Sequence, residues 1–471
     1  MNFNKKRYKI LALSDDCRSL SGVGTQAGIL YSGLINTGKY SFINLGGAIK
    51  HASYEVTRPR PDLIVKPVDG FGTKEQLRLL LLTERPDALF LFTDPRQFIW
   101  VWEMEDEIRQ ICPIVYWHVW DNDPYPAYNK IWYDATDLIN CLAYKTYELV
   151  KPNYPDKTHY IPHAFPKQMY GEIPKEKIEA ESANSFGPRA DWFKVLWVNR
   201  NAHRKMPGDV VASFAMFLQN LQKKHGHKKA LLVMHTDPHD IEGPNLPEMV
   251  NLLGIKENVM FSNEKLHPEG MNTMHNLFDT TINISKQEGF GLTPLLFLQT
   301  GKPIIVLCTG GLTRQGIDYR DGTENGAAIK PLVRQLVGSQ PTPYIYEDFA
   351  SHEQVADAYM KIFEMTPEDK VKMKAKVLEY VDHEFNYENM IKRWDETLEK
   401  TILEFKEKSK KKWTIEQLEN HNIRPITQDA KNQQVYAQNN IQIPEEIKKL
   451  PMDLTGYLLK GIRITKVEAR A

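Results

Sequence analysis

The sequence predicts an α/β protein made of two halves, each a parallel β-sheet covered by helices on both faces. Short, almost wholly apolar runs alternate with helical patterns, as expected for strands that are buried on both faces. The alternation is interrupted near residue 165 by a polar stretch that carries Pro and Gly. Ligands of such folds bind beyond the carboxyl ends of the strands, and a seam between two halves adds a cleft.

Apolar runs place the strands of both halves. In the first half they are residues 8–14, 87–93, 113–119 and 137–143. In the second half they are residues 193–199, 230–236, 258–262, 280–285 and 303–308. The segment 97–110 has the spacing of an amphipathic helix.

These patterns predict five parts along the chain. They are an N-terminal domain (1–166), a linker or surface insertion (167–192), a second domain (193–385), a helix (386–408) and a polar appendage (409–471). The appendage is rich in amides and poor in large apolar residues, which is typical of a loosely packed or partner-binding tail.

Length and composition describe an ordinary globular protein. A chain of 471 residues suggests about two or three domains, and 42% hydrophobic with 25% charged residues is typical of soluble proteins. With 60 basic and 60 acidic residues the net charge is zero, which argues against holding nucleic acid mainly by bulk charge. No run of about 18 apolar residues exists, so we expect no transmembrane segment.

The cysteines and the N-terminus indicate a cytoplasmic protein. The cysteines are far apart and form no C-x-x-C, which predicts reduced, mostly buried thiols. They are Cys17, Cys112, Cys141 and Cys308. The first apolar run is short and leads into two aspartates, as in a first strand rather than a signal peptide.

The stretch SGVGT (21–25) follows the first strand. Gly22 and Gly24 would let backbone N–H groups approach an anion at a helix start. Ala27 breaks the pattern G-x-G-x-x-G, so a plain strand-to-helix turn is the alternative.

The stretch WVNRNAHRKMPGD (197–209) follows the first strand of the second half. Arg200 and Lys205 are five residues apart, with Arg204 adjacent. Cations at the end of a strand suit a diphosphate, because Arg can bond phosphate oxygens in pairs. A solvated basic turn is the alternative.

The stretch KQEGFGLTPLLFL (286–298) predicts a binding loop that leads into a helix near Thr293. Because a helix N-terminus favours negative charge, the N–H groups of Gly291, Leu292 and Thr293 could hold phosphate oxygens. Glu288, just upstream, can accept hydrogen bonds from two hydroxyls, for which sugar diols are natural candidates. A carboxylate that only complements the helix dipole is the alternative.

The stretch YWHVWDNDPYP (116–126) ends a strand with His118. Asp121 and Asp123 form a D-x-D, a pattern that some sugar transferases use to hold a divalent metal. The neighbouring aromatics could stack on a sugar or a base, and they include Trp117 and Trp120. The alternatives are a core histidine, a Pro-rich turn and core aromatics.

Taken together, these stretches resemble the retaining GT-B-fold nucleotide-sugar glycosyltransferases, the large family with an E-G-F-G donor loop that includes sucrose-phosphate synthases and bacterial mannosyltransferases. The resemblance covers about residues 8–400 and rests on an ordered set of matches. They are SGVG, His118, IPHAF (161–165), Arg200 with Lys205, ENVMFS (257–262), the stretch 285–306 and TGG (309–311). It implies two Rossmann-like domains that face each other across a cleft, with the helix 386–408 crossing back to the first domain.

The resemblance also implies roles at the donor site. Gly22, Val23 and Gly24 would lie against the donor diphosphate, which Arg200 and Lys205 would hold. Glu288 would bond sugar hydroxyls. The residues that would present backbone to the sugar and phosphate are Gly289, Phe290, Gly291, Leu292 and Thr293.

Further implied roles concern the base, the sugar and the acceptor. Phe261 and Ser262 lie where the family reads the nucleobase, and His118 would face the sugar or the acceptor. The residues expected on the acceptor side are Trp117, Trp120, Asp121 and Asp123. No metal and no cofactor are implied, because enzymes of this fold usually need no bound metal.

Leu296 departs from the family's pattern. Many members carry a second Glu at this position, which bonds the ribose of the nucleotide. Because Leu cannot accept that bond, the nucleotide stays open between UDP- and GDP-linked sugars.

The sequence therefore predicts an enzyme that transfers a sugar from a nucleoside diphosphate to an acceptor hydroxyl with retained configuration. Some viral relatives glycosylate hydroxymethylated bases in DNA, and the basic runs 223–229 and 408–413 leave DNA open as the acceptor. In that case the compartment would be the host cytoplasm. A nucleotide-sugar epimerase and a non-catalytic binding protein of the same fold would also fit the sequence, which does not predict an oligomeric state.

Overall fold

The first sheet has eight strands in the order β3-β4-β2-β1-β5-β6-β7-β8. They are β1 (Tyr8–Asp15), β2 (Tyr40–Gly47), β3 (Thr57–Arg60), β4 (Leu63–Pro67), β5 (Ala88–Thr93), β6 (Ile114–His118), β7 (Leu138–Cys141) and β8 (Thr158–Tyr160). Only the edge pair β3–β4 is antiparallel. The structure is a computed structural model and describes residues 7–409.

Six helices accompany this sheet. They are α1 (Gly22–Asn36), α2 (Lys74–Glu84), α3 (Ile99–Trp102), α4 (Glu105–Ile108), α5 (Lys130–Ala135) and α6 (Tyr144–Val150). The amphipathic segment 97–110 thus forms two short helices, α3 and α4, instead of one. The helix α2 begins with a complete capping box between Thr73 and Gln76, which satisfies donors that its first turn leaves open.

The second sheet has six parallel strands in the order β11-β10-β9-β12-β13-β14. They are β9 (Phe193–Val198), β10 (Ala230–His235), β11 (Val259–Ser262), β12 (Thr280–Asn283), β13 (Ile304–Leu307) and β14 (Gly326–Ile329). Both sheets are therefore parallel over most of their width, as their continuous apolar runs predict.

The helices of the second half surround this sheet and then continue to the end of the described residues. They are α7 (Lys175–Phe186), α8 (Pro207–His225), α9 (Leu246–Leu252), α10 (Pro268–Asn276), α11 (Leu292–Gln299), α12 (Leu312–Gly316), α13 (His352–Phe363), α14 (Pro367–Glu384) and α15 (Tyr387–Ser409). The helix α7 lies in the stretch 167–192 that was predicted to be a linker, and its Phe186 packs edge-on against Phe278.

The long helix α15 packs against the first sheet. Trp394 is fully buried, and its ring lies 5.3 Å from that of Phe90 and 5.4 Å from that of Trp117. At its surface, Lys39 pairs with Asp395 and Glu399. A helix that follows the second half thus packs against the sheet of the first.

A hairpin that the sequence did not predict follows β14. Its strands, β15 (Val333–Ser339) and β16 (Thr342–Phe349), are antiparallel and reach across to the loop after β6. The N–H of Tyr346 donates to the Asp123 carbonyl at 2.8 Å, and Asn122 Nδ2 donates to the Tyr346 carbonyl at 3.0 Å. The hairpin therefore bonds the two halves together beside the cleft.

The contacts between residues divide the chain into two compact units, the first of which ends at Phe405. Both sheets and the cleft belong to this first unit. Within residues 7–409, no helix is both long and apolar enough to cross a membrane. The predicted polar appendage lies, apart from its first residue, outside the described residues.

Candidate functional site

The cleft between the sheets holds a cavity of about 1170 Å³. Its walls come from loops that follow strands of both sheets, where parallel α/β folds place their ligands. The first half contributes residues 18–23, Val119, Asp121, His163 and Phe165, among others. The second half contributes Asn199, Arg204, Lys205, residues 235–237, residues 263–266, residues 288–293 and Leu296, among others.

The loop from β12 to α11 forms the centre of the second wall. Gly291 precedes the helix with a φ of +86°, a left-handed conformation that favours glycine. No side chain caps α11, and its first turn carries no acidic residue. The N–H groups of Leu292 and Thr293 therefore begin a helix at the cavity wall without a side-chain acceptor, a setting that attracts anions.

Glu288 is buried in this wall beside two cations. The Lys205 ammonium donates to Glu288 Oε2, and Arg204 Nη1 lies 3.8 Å from Glu288 Oε1. Burial alone would raise the Glu288 pKa, but the charges of Lys205 and Arg204 lower it to about 2. Burial lowers the pKa of Lys205, while Glu288 acts against that shift. The cavity therefore holds an ionised carboxylate and an ammonium in direct contact.

The structure corrects the predicted basic pair. Arg200 does not line the cavity: its side chain is 57% exposed and pairs with Asp240 at 2.7 Å and Glu242 at 2.9 Å. Arg204 lines the cavity instead and donates to the Gln287 carbonyl at 2.6 Å. A short 3-10 turn over His203–Lys205 causes this difference, because it directs the two later cations towards the Glu288 loop.

His118 and the two tryptophans also need correction. His118 is 0% exposed, and its Nε2 lies 2.7 Å from the Tyr133 hydroxyl. Burial lowers its pKa to about 3. Val119, the first residue after β6, reaches the cavity, whereas His118, the last residue of β6, does not. Trp117 and Trp120 are buried and do not line the cavity, so these three residues are core residues.

The two aspartates of the D-x-D face different surroundings. Asp121 lines the cavity 4.0 Å from Arg204, and burial raises its pKa although Arg204 opposes the shift. Asp123 instead lies 3.2 Å from Arg334 and 3.7 Å from Lys145. Within residues 7–409, no three His, Cys, Asp or Glu side chains are grouped to hold a metal.

The loop after β1 reaches the cavity through Ser21, Gly22 and Val23 but not through Gly24. A Cβ at Gly22 would lie 3.1 Å from Leu292 Cδ1, so this loop meets the start of α11 across the cleft. A Cβ at Gly24 would lie only 2.1 Å from Ser19 Oγ. Gly24 therefore packs closely beneath the loop, and its N–H donates to Ser21 Oγ at 2.9 Å, while its contact with a diphosphate stays a prediction.

Near the end of β11, the residues that line the cavity differ from the predicted Phe261 and Ser262. Phe261 packs against the core of the second half, and Ser262 Oγ lies 3.0 Å from His235 Nδ1. Neither residue lines the cavity, whereas the next four, 263–266, do so together with His235. Leu296 is 6% exposed and lines this end of the wall without offering a polar group.

Arg204 and His163 are among the cavity residues that had no role assigned from the sequence. Arg204 was noted only as a neighbour of the basic pair, and His163 only as part of the IPHAF match. Both line the cavity. In the sequence, both residues stand within or beside a recognised motif. That position does not show in which direction a side chain points.

Solved structures share this arrangement of two sheets. A sucrose-phosphate synthase from Thermosynechococcus elongatus is 14% identical, with a TM-score of 0.64 over 84% of this chain and 100% of that chain. HepE of Anabaena in complex with UDP-glucose is 14% identical, with a TM-score of 0.60 over 83% of this chain and 99% of that chain. An α,α-trehalose 6-phosphate synthase from Burkholderia multivorans is 12% identical, with a TM-score of 0.57 over 85% and 100%.

No protein-family model and no curated protein matches the sequence significantly. The structural likenesses nevertheless cover almost the whole of each solved chain. They show that this protein has the GT-B fold, which confirms the fold class that the sequence predicted.

Proposed function

We propose that the protein transfers a sugar from a nucleoside diphosphate to an acceptor hydroxyl. The observation that carries this proposal is one cavity, lined by both halves, whose wall holds both the uncapped start of α11 and the partly buried Lys205. Helix N–H groups and an ammonium suit the oxygens of a diphosphate. HepE, with the same fold, binds UDP-glucose, which supports the same ligand class here.

In this arrangement the diphosphate lies against the N–H groups of Leu292 and Thr293 and the ammonium of Lys205. Glu288, ionised over the physiological range, accepts hydrogen bonds from hydroxyls of the sugar. Asp121 lines the cavity from the first half, and this position suits a contact with the acceptor. A cavity of about 1170 Å³ is large enough for a ligand of this size.

The charges of the site suit departure of the nucleotide. As the bond from sugar to phosphate breaks, negative charge grows on the leaving diphosphate, and preorganised cations and a helix N-terminus stabilise it. Glu288 is already engaged by Lys205 and Arg204, which makes it a weak nucleophile. We therefore propose attack by the acceptor from the face that the nucleotide leaves, with configuration retained and the leaving phosphate taking the acceptor's proton.

A thermal-shift screen of UDP, GDP, UDP-glucose and GDP-mannose tests the ligand class. Only a ligand that binds the folded state raises stability, by about 2.7 kcal/mol at a hundredfold excess over its Kd. We expect at least one of the four to raise the melting temperature, and AMP, which lacks a diphosphate, to give a smaller shift. If none of the four changes it, the proposal is wrong.

A further inference from the structure

His163 is a polar side chain in the cavity wall that has no hydrogen-bond partner in the described residues. It is 5% exposed, and its Nδ1 is buried without a partner. Nε2 has no partner either, and it is not among the unpartnered atoms that are closed to solvent. The residue lines the cavity, and Nε2 is its only ring nitrogen that solvent can reach.

The ring is held in place by aromatic contacts from both halves. Its centroid lies 4.6 Å from that of Trp117 and 4.9 Å from that of Phe290, with both rings edge-on. Phe92 approaches to 5.7 Å. Phe290 belongs to the loop between Glu288 and α11, so the free nitrogen of His163 opens onto the same space as Glu288. These contacts fix the direction of the imidazole before a ligand enters.

The chemistry of the ring limits what it can hold. Burial lowers its pKa to about 3, so the imidazole is neutral and offers one donor and one acceptor. The rings that contact it are those of Phe92, Trp117 and Phe290, which surround the imidazole with largely apolar surface. A neutral nitrogen in an apolar wall suits a hydroxyl, which can donate and accept, better than a phosphate, which favours cations. The phosphate side of the cavity is supplied by Lys205 and α11.

We propose that His163 is a specificity-determining residue, whose cavity-facing ring nitrogen hydrogen-bonds a hydroxyl of the donor sugar opposite Glu288. This inference rests on the proposed function. The resemblance implied that His118 contacts the sugar. The inference places this contact in the IPHAF stretch instead. It also gives Nε2, which has no partner within the described residues, a partner when the sugar is bound.

The test compares binding of a nucleotide with and without its sugar. In the variant His163→Phe, which keeps an aromatic ring and loses both nitrogens, we expect UDP to bind within about twofold of wild type and UDP-glucose to bind about tenfold more weakly. GDP and GDP-mannose form the second pair of probes. His163→Gln, which retains a donor and an acceptor, should recover part of the loss. Calorimetric titration measures all Kd values.

His118→Phe is the matched control, because it removes a buried histidine that does not reach the cavity. It should change the Kd of the nucleotide and of its sugar conjugate by the same factor. If His163→Phe also changes both equally, or changes neither, the assignment of His163 is overturned. If wild type binds neither pair of probes, the proposed function itself fails, which is a different outcome.

Discussion

Replacing Lys205 by methionine is expected to lower kcat/KM for sugar transfer by about 10²- to 10³-fold, the usual cost of losing one preorganised donor at a developing negative charge. Lys205 is a partly buried cation that contacts Glu288 and lines the same cavity as the start of α11. Methionine keeps most of its length and removes the charge. The donor that gives the largest thermal shift serves as substrate, and the rate at which its nucleotide is released measures the effect. The two proteins are compared at equal concentrations of folded protein.

Arg200→Met is the matched control for this prediction. The Arg200 side chain lies outside the cavity and pairs with Asp240 and Glu242, so its loss should change kcat/KM by less than about threefold. Arg204→Met should instead reduce activity, because Arg204 holds the Gln287 carbonyl of the Glu288 loop. Equal losses for Arg200→Met and Lys205→Met would show that the diphosphate is held as the sequence motif predicts and not as the structure places it.

Replacing Asp348 by alanine is expected to destabilise the protein by about 3 kcal/mol. Asp348 is 0% exposed on β16 and accepts from Asn122 Nδ2 at 2.8 Å, Thr309 Oγ1 at 2.7 Å and Arg334 Nε at 2.6 Å. Without the carboxylate, the buried donors of Asn122 and Thr309 lose an acceptor that joins the hairpin to both halves. Urea denaturation followed by circular dichroism measures the change.

Asp357→Ala provides the comparison, since this aspartate is exposed on α13 and its loss should cost no more than about 0.5 kcal/mol. Asp348→Asn should fall between the two, because the amide keeps an acceptor oxygen and loses the charge that Arg334 pairs with. If Asp348→Ala unfolds at the same urea concentration as Asp357→Ala, the hairpin does not fasten the two halves through this carboxylate.

The strands that the sequence located are those whose side chains are apolar on both faces. The runs 8–14, 193–199 and 303–308 correspond to β1, β9 and β13 almost residue for residue. Five strands of the two sheets were missed, namely β2, β3, β4, β8 and β14. Strands β3 and β14 are short and contain Pro, Gly or charged residues, so that only pairing with a neighbour defines them. Strand β2 is mostly buried, but Ser, Asn and Gly interrupt its apolar run. The β15–β16 hairpin was missed because β15 is almost wholly exposed and β16 is mostly half-buried, so that neither carries a clear apolar pattern.

The candidate site was predicted at the level of loops and not of side chains. The loop carrying Glu288 and the loop after β1 both line the cavity, because glycines and helix starts are local signals. The choice between Arg200 and Arg204 depends on one 3-10 turn, and the choice between His118 and Val119 on where β6 ends relative to the cleft. Both choices depend on tertiary packing, which cannot be read from a single sequence.

A crystal structure of the protein with UDP, or with GDP if that nucleotide gives the larger thermal shift, would test the proposed donor site directly. We expect phosphate oxygens within about 3.2 Å of the N–H groups of Leu292 and Thr293 and of Lys205 Nζ, in the cavity between the sheets. A nucleotide bound outside this cavity, or one whose diphosphate turns away from α11 towards Arg200, would contradict the proposal.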